Sequence, residues 1–185
     1  IMTVNGPVDI GITGTVLSHE HILVDFIGAQ QTGYHRWNRE EVVSVVLPQL
    51  TDLKQQGCEM LFECTPAFLG RDPILLKRLS QAAGIHIITN TGYYGARDNK
   101  FIPEYAFKET AEQLSRRWTR EWQEGIEDTG IRPGFIKIGI DRGRLSQMHR
   151  KLVKAAAFTP LATGLTIAGH TGTAIGAFEE LEILE

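Results

Sequence analysis

The sequence predicts an α/β fold assembled from parallel βα units. Two observations carry this reading. Short apolar runs alternate with helical patterns five times along the chain, the order that lays helices over a parallel sheet. Each run is apolar nearly throughout rather than at every second residue, as expected of strands buried on both faces. A third observation concerns chemistry. The reactive side chains gather at the C-terminal ends of these runs, the edge at which parallel sheets bind ligands.

The elements follow in order. Residues 14–21 (GTVLSHEH) read as the first strand. Residues 39–56 form a helix with Val42, Val43, Val46, Leu50 and Leu53 on one face, and Gly57 stops it. Residues 58–64 (CEMLFEC) are the second strand. Asp72 caps a helix that opens on Pro73, runs to Ala83 and ends at Gly84. Residues 85–91 (IHIITNT) are the third strand, followed by a long polar-faced helical region over 103–128. Residues 134–140 (GFIKIGI) are the fourth strand. Ser146 caps a helix to Thr163, which Gly164 ends. Residues 165–170 (LTIAGH) are the fifth strand, and a further helix starts at Ala174. A doubly wound open sheet and a (β/α)8 barrel both fit this order. A barrel takes eight units and about 250 residues. The 185 residues here would supply about the first five βα units of one domain, 1–185, with no linker or low-complexity segment.

Composition narrows the function classes. A net charge of -3 with 22% charged residues argues against a nucleic-acid surface. No apolar run approaches the ~20 residues that span a bilayer, so no membrane partner is expected. The first residues, IMTVNGPVDIG, lack the basic start and apolar stretch of a signal peptide. Residue 1 is not Met, so an upstream leader stays open. Cys58 and Cys64 would lie roughly 20 Å apart along a strand, beyond the reach of a disulfide. Two free thiols suit a reducing compartment and slightly favour the cytoplasm. The glycine-rich pieces form neither a dinucleotide nor a phosphate loop, and no serine sits in a nucleophile elbow.

His19-Glu20-His21 is the strongest chemical signal. Alternate residues of a strand share a face, so both imidazoles point into one interior and Glu20 points away. Such a pair suits a metal such as zinc; two hydrogen-bonded core histidines are the plainer alternative. Lys137 is the second signal, alone in an uncharged run. Burial lowers a lysine's pKa and frees the neutral amine. That amine could act as a nucleophile, form a Schiff base, or take up CO2 as a carbamate able to bridge two metals. A snorkelling or salt-bridged lysine is the plainer alternative. His170 closes the fifth strand at the same edge. Glu63 could orient a ligand histidine as a supporting carboxylate, and Tyr94 could wall a pocket. His86 begins its strand and reads as structural. His149 lies on a helix and reads as exposed, and His35 as a solvated loop residue.

With these residues in hand, the chain resembles the phosphotriesterase-like family of the amidohydrolase superfamily. The likeness rests on GTVLSHEH, with Val16 where the family usually has Thr, on Gly70-Arg71-Asp72, on GIEDTGI over 125–131, on GFIK over 134–137, and on His170-Thr171. The resemblance implies a (β/α)8 TIM barrel with two divalent metal ions, zinc by default. His19 and His21 would bind one ion, carbamylated Lys137 would bridge the two, and His170 would bind the other. Lys137 thereby becomes the catalytic lysine, and Tyr94 matches an aromatic position beside the substrate. The implied chemistry is attack of a metal-bridging hydroxide on a lactone, phosphotriester or related small-molecule ester, and the implied assembly is a homodimer. The family also uses a strand-six His and a strand-eight Asp, neither of which falls within these residues. The expectation is that the chain is the N-terminal part of a longer barrel. The alternative is a non-catalytic metal- or ligand-binding protein on the same scaffold. An aldolase-type Schiff base on Lys137 ranks last, because it leaves His19 and His21 without a role.

Overall fold

The structure, a computed structural model, describes residues 1–9, 11 and 14–185. It opens with an antiparallel hairpin of β1 (Met2–Thr3) and β2 (Gly6–Pro7). Strands of two residues show no alternation, so the sequence reading has no strand here. The Asn5-Gly6 turn was the available signal. The hairpin docks under the sheet: the Val4 N–H donates to the Ile87 carbonyl (2.9 Å), and Asn5 Nδ2 donates to Ser80 Oγ (2.8 Å).

The predicted strands follow in parallel pairing: β3 (Thr15–Glu20), β4 (Cys58–Glu63), β5 (His86–Ile88), β6 (Asn90–Thr91), β7 (Phe135–Gly139) and β8 (Thr166–His170). Their order is β3-β4-β5 and β6-β7-β8. β5 and β6 were expected as one strand. They divide at Thr89, where the chain changes its registered partner from β4 to β7 and the Thr89 carbonyl accepts from the Gly134 N–H (2.8 Å).

Among the described residues six α-helices accompany these strands: α1 (Arg39–Gln55), α2 (Pro73–Ala83), α3 (Glu104–Lys108), α4 (Ala111–Glu124), α5 (Gln147–Thr163) and, after the last strand, α6 (Ala174–Leu184). Asp72 caps α2 through the Leu75 N–H, and Gly84 closes it in the left-handed region at φ 67°. The helical region expected over 103–128 resolves into α3, α4 and a 3-10 turn, Ile126–Asp128. Glu109 and Thr110 are extended, and Thr110 forms a capping box with Gln113 that starts a new helix.

Packing follows the period of two. Ile136 and Ile138 of β7 face the helices, in one cluster with Leu114 and Trp118 of α4 and Leu152 of α5. Phe135 faces the other side with Met60, Phe62, Ile88 and Ala168. Lys137 has the parity of Phe135 and therefore sits on that inner side. All of β7 is buried, as expected for a central strand, but β3 and β8 are largely exposed. The expectation of strands buried on both faces fails for these two because each has a paired neighbour on one side only.

The Gly70-Arg71-Asp72 and GIEDTGI stretches turn out to be staples of the fold. A Cβ on Gly70, at φ 112°, would stand 2.9 Å from the Asp25 nitrogen, so the two loops meet only through glycine. The buried Arg71 forks onto Glu121 of α4 (2.9 and 2.7 Å) and donates to the Asn90 carbonyl (2.7 Å). Asp72 accepts from Trp37 Nε1 and Arg39 Nε. In GIEDTGI the Ile126 N–H donates to the Ile131 carbonyl (2.8 Å), folding the segment back on itself.

Candidate metal centre

β3 delivers the histidine pair through an irregularity. Leu17 pairs with Leu61 and Glu20 with Glu63, so Ser18 and His19 together oppose Phe62 alone. An extra residue of this kind bends a strand and re-aims its side chains. Leu17 packs toward the helices, and without the extra residue His19 would share that face. With it, Nε2 of His19 stands 3.2 Å from Nε2 of His21. Two nitrogens each about 2.0–2.1 Å from one tetrahedral zinc ion stand about 3.3 Å apart, so the pair fits a shared ion.

Lys137 comes from the middle of β7 and is 2% exposed. Among the described residues its amine makes no ion pair. Burial drives its pKa down, against weaker opposing effects of Cys64 and Glu180. A buried amine relieved of its proton has the chemistry that carbamate formation needs. His170 ends β8, and its pKa is lowered by burial, by Lys137 and by His19. His19 is lowered by burial and then by Lys137. His21 is lowered by burial, then by His19, Lys137 and His170. The structure thus brings the four predicted residues into mutual electrostatic reach at one edge of the sheet. Among the described residues, no three His, Cys, Asp or Glu side chains converge tightly enough to enclose an ion by themselves. The three imidazoles are solvent-exposed residues, whereas Lys137 is buried beneath them.

Tyr94 lies beside this edge. Its ring centroid is 5.2 Å from that of His170 and 6.0 Å from that of Phe101. A Cβ on Gly139 would stand 2.4 Å from the Tyr94 ring, so glycine at the end of β7 lets the ring lie flat on the strand. Gly92 permits a similar approach: at φ 112°, its Cβ would fall 2.1 Å from the Lys137 carbonyl oxygen. His149 is a correction to the sequence reading. It is 3% exposed rather than solvated, because it occupies the first turn of α5 in a capping box with Ser146. Its Nε2 contacts the Gly95 carbonyl at 3.1 Å, under the loop that carries Tyr94. His35 is exposed, as read from its loop, and His86 opens β5.

Glu63 is the second correction. Among the described residues it makes no hydrogen bond to a histidine. Its buried carboxyl accepts from the Ile22 and Thr65 N–H groups (both 3.2 Å), and burial pushes its pKa up to about 7. The group that touches His21 is Thr65, with Oγ1 2.9 Å from Nδ1. Strand parity alone could have turned Glu63 away from the histidines: Cys64 packs with Met60 and Phe62 on the inner side, so Glu63 faces the other way. Asn90 was also missed as a support. Its Nδ2 donates to the Glu63 and Thr65 carbonyls (2.9 and 3.1 Å) and ties the end of β4 to the next strand. Cys58 and Cys64 are free and buried, as expected.

A parallel sheet with this histidine pair at its C-terminal edge and a buried lysine in a neighbouring strand defines a class of α/β protein with a candidate metal site, and comparison with known proteins gives that class a family. The model of the Phosphotriesterase family matches residues 1–185, and the chain belongs to that family. It is similar to the phosphotriesterase homology protein of Escherichia coli (strain K12), with 27% identity over 94% of this chain and 58% of the relative. It is similar to the aryldialkylphosphatase of Saccharolobus solfataricus, with 28% identity over 88% of this chain and 50% of the relative. The N-acetyltaurine hydrolase of Dictyostelium discoideum shares 29% identity over 77% of this chain and 37% of the relative. The chain thus spans roughly half the length of the curated relatives it matches.

Proposed function

We propose that the protein is a two-metal hydrolase of a lactone, a phosphotriester or a related small ester. It would be built on a (β/α)8 barrel of which residues 1–185 supply about the first five βα units. The observation that carries this reading is the 3.2 Å approach of the His19 and His21 ε nitrogens on the sheet edge that also bears Lys137 and His170. Membership of the family and the hydrolase names of the relatives support it. In this reading His19 and His21 would hold one divalent cation, His170 would hold a second, and carbamylated Lys137 would serve both. Zinc is the default from the imidazole donors. Two such cations would acidify a water and polarise the electrophilic oxygen of the substrate.

The chain's own residues prepare this chemistry. Burial favours the neutral Lys137 amine, whose nitrogen would bond to the carbon of CO2 and release one of its two N–H protons, leaving an anionic two-oxygen donor. The lowered pKa values of the three imidazoles favour their neutral form, which leaves one ring nitrogen of each free to bind a cation. Tyr94 lines the approach to His170 and would orient the substrate.

The test is Lys137→Ala in the full-length, metal-loaded protein. Lactone or aryl phosphotriester turnover should fall by about 100-fold or more, and a small carboxylate such as formate should restore part of it. Unchanged turnover would eliminate the mechanism. Metal binding by the native protein with no turnover of any ester would favour the non-catalytic binding protein instead.

A further inference from the structure

Just past the end of β4, the hydroxyl of Thr65 contacts the histidine pair. Thr65 is fully buried. Its N–H donates to Glu63 Oε2 (3.2 Å) and its carbonyl accepts from Asn90 Nδ2 (3.1 Å), so its backbone is held at both ends. The other Glu63 oxygen accepts from the N–H of Ile22, the residue after His21 (3.2 Å). One carboxyl therefore clamps the segment bearing Thr65 to the segment bearing His21. Between them the hydroxyl oxygen stands 2.9 Å from His21 Nδ1.

A threonine hydroxyl has one proton to give and lone pairs to receive. A cation held between the two ε nitrogens, 3.2 Å apart, needs the lone pair of His21 Nε2, which leaves the single proton of the neutral ring on Nδ1, 2.9 Å from Thr65 Oγ1. In that arrangement Nδ1 of His21 donates and the Thr65 hydroxyl oxygen accepts through a lone pair. A neutral imidazole carries one N–H. With the proton on Nδ1, the lone pair is on Nε2, the atom 3.2 Å from His19 Nε2.

Resting on the metal-site reading above, we propose that Thr65 is a positioning residue that fixes His21 as its Nδ1–H tautomer, with Glu63 and Asn90 holding Thr65 in place. The site would then present a bare Nε2 before any cation arrives. The hydroxyl, rather than a carboxylate, would supply the support that metal-bound imidazoles usually receive on their second nitrogen.

The experiment uses the full-length, metal-free protein labelled with 15N, at about pH 8, where the histidines are neutral. Long-range 1H–15N spectra report the tautomer of each ring, and the His21→Asn variant assigns the His21 signals. The expected result is Nδ1–H for His21 in the unaltered protein. Thr65→Val should move His21 toward the Nε2–H form and weaken zinc binding, measured by chelator competition, about 10- to 100-fold. Thr65→Ser, which keeps the hydroxyl, should restore both. An Nε2–H signal in the unaltered protein overturns the proposal without any variant. So does a Thr65→Val protein with the native tautomer and native zinc affinity. If the native protein takes up no zinc, the metal reading fails, and the tautomer spectrum still decides the role of Thr65.

Discussion

Lys137 and Glu63 are buried ionisable groups on opposite faces of one sheet, and burial moves each toward its neutral form. For Lys137 that frees an amine; for Glu63 it retains a proton, with a pKa of about 7 against an ordinary 4.5. The folded protein therefore holds the Glu63 proton over a range in which the unfolded chain has lost it. This contribution to stability is fully present below pH 4.5 and is lost as pH rises through about 7. At about 1.4 kcal/mol per pKa unit, the loss amounts to roughly 3 kcal/mol. We expect urea unfolding of the metal-free protein to show this decline, and Glu63→Gln to flatten it. An equally steep decline in the variant would assign the effect to other groups. The sequence showed that Lys137 is out of place in an apolar strand, because type and position suffice for that inference. It did not show that Thr65 rather than Glu63 meets His21, because that depends on where β4 ends and how its last residues turn.

At the scale of elements, two features position the site: the extra residue in β3 and the ion pair that ties α4 to the loop after β4. The Arg71 side chain is 1% exposed and that of Glu121 23%, and the bidentate geometry places the pair among the stronger kinds. Removing Glu121 would leave a buried cation without its main counter-charge, since Glu127 lies 3.9 Å away and half exposed. We expect Glu121→Ala to cost about 3 kcal/mol or more in urea unfolding. Glu40→Ala, which breaks the exposed pair with Arg78, should leave the midpoint unchanged. Equal effects of the two would mean that the Arg71 pair is not an anchor. Element types were legible because apolar period and caps agree: Asp72, Ser146, Gly84 and Gly164 mark helix ends in sequence and in structure. The extra residue in β3 was not legible, because it is a matter of register between strands forty residues apart. The break at Glu109 was missed because the polar face continues across it, though Thr110 with Gln113 was a visible start signal.

At the scale of the whole molecule, the α/β class and the parallel pairing of the strands could be read from the chain, since alternation of units implies them. The two exposed outer strands could not, because burial of a strand depends on its neighbours as well as on its own residues. Those strands also carry three of the candidate ligands, His19 and His21 at the end of β3 and His170 at the end of β8, while Lys137 lies on β7 between them. The site is therefore a property of the assembled sheet, and its central claim is that these four side chains belong to a two-cation centre. Metal content per chain tests that claim most directly, by elemental analysis of the full-length protein after loosely held ions are removed. The account predicts about two divalent ions per chain, falling when Lys137 is replaced by Ala. One ion or none in the native protein, or two ions unaffected by loss of Lys137, would contradict it.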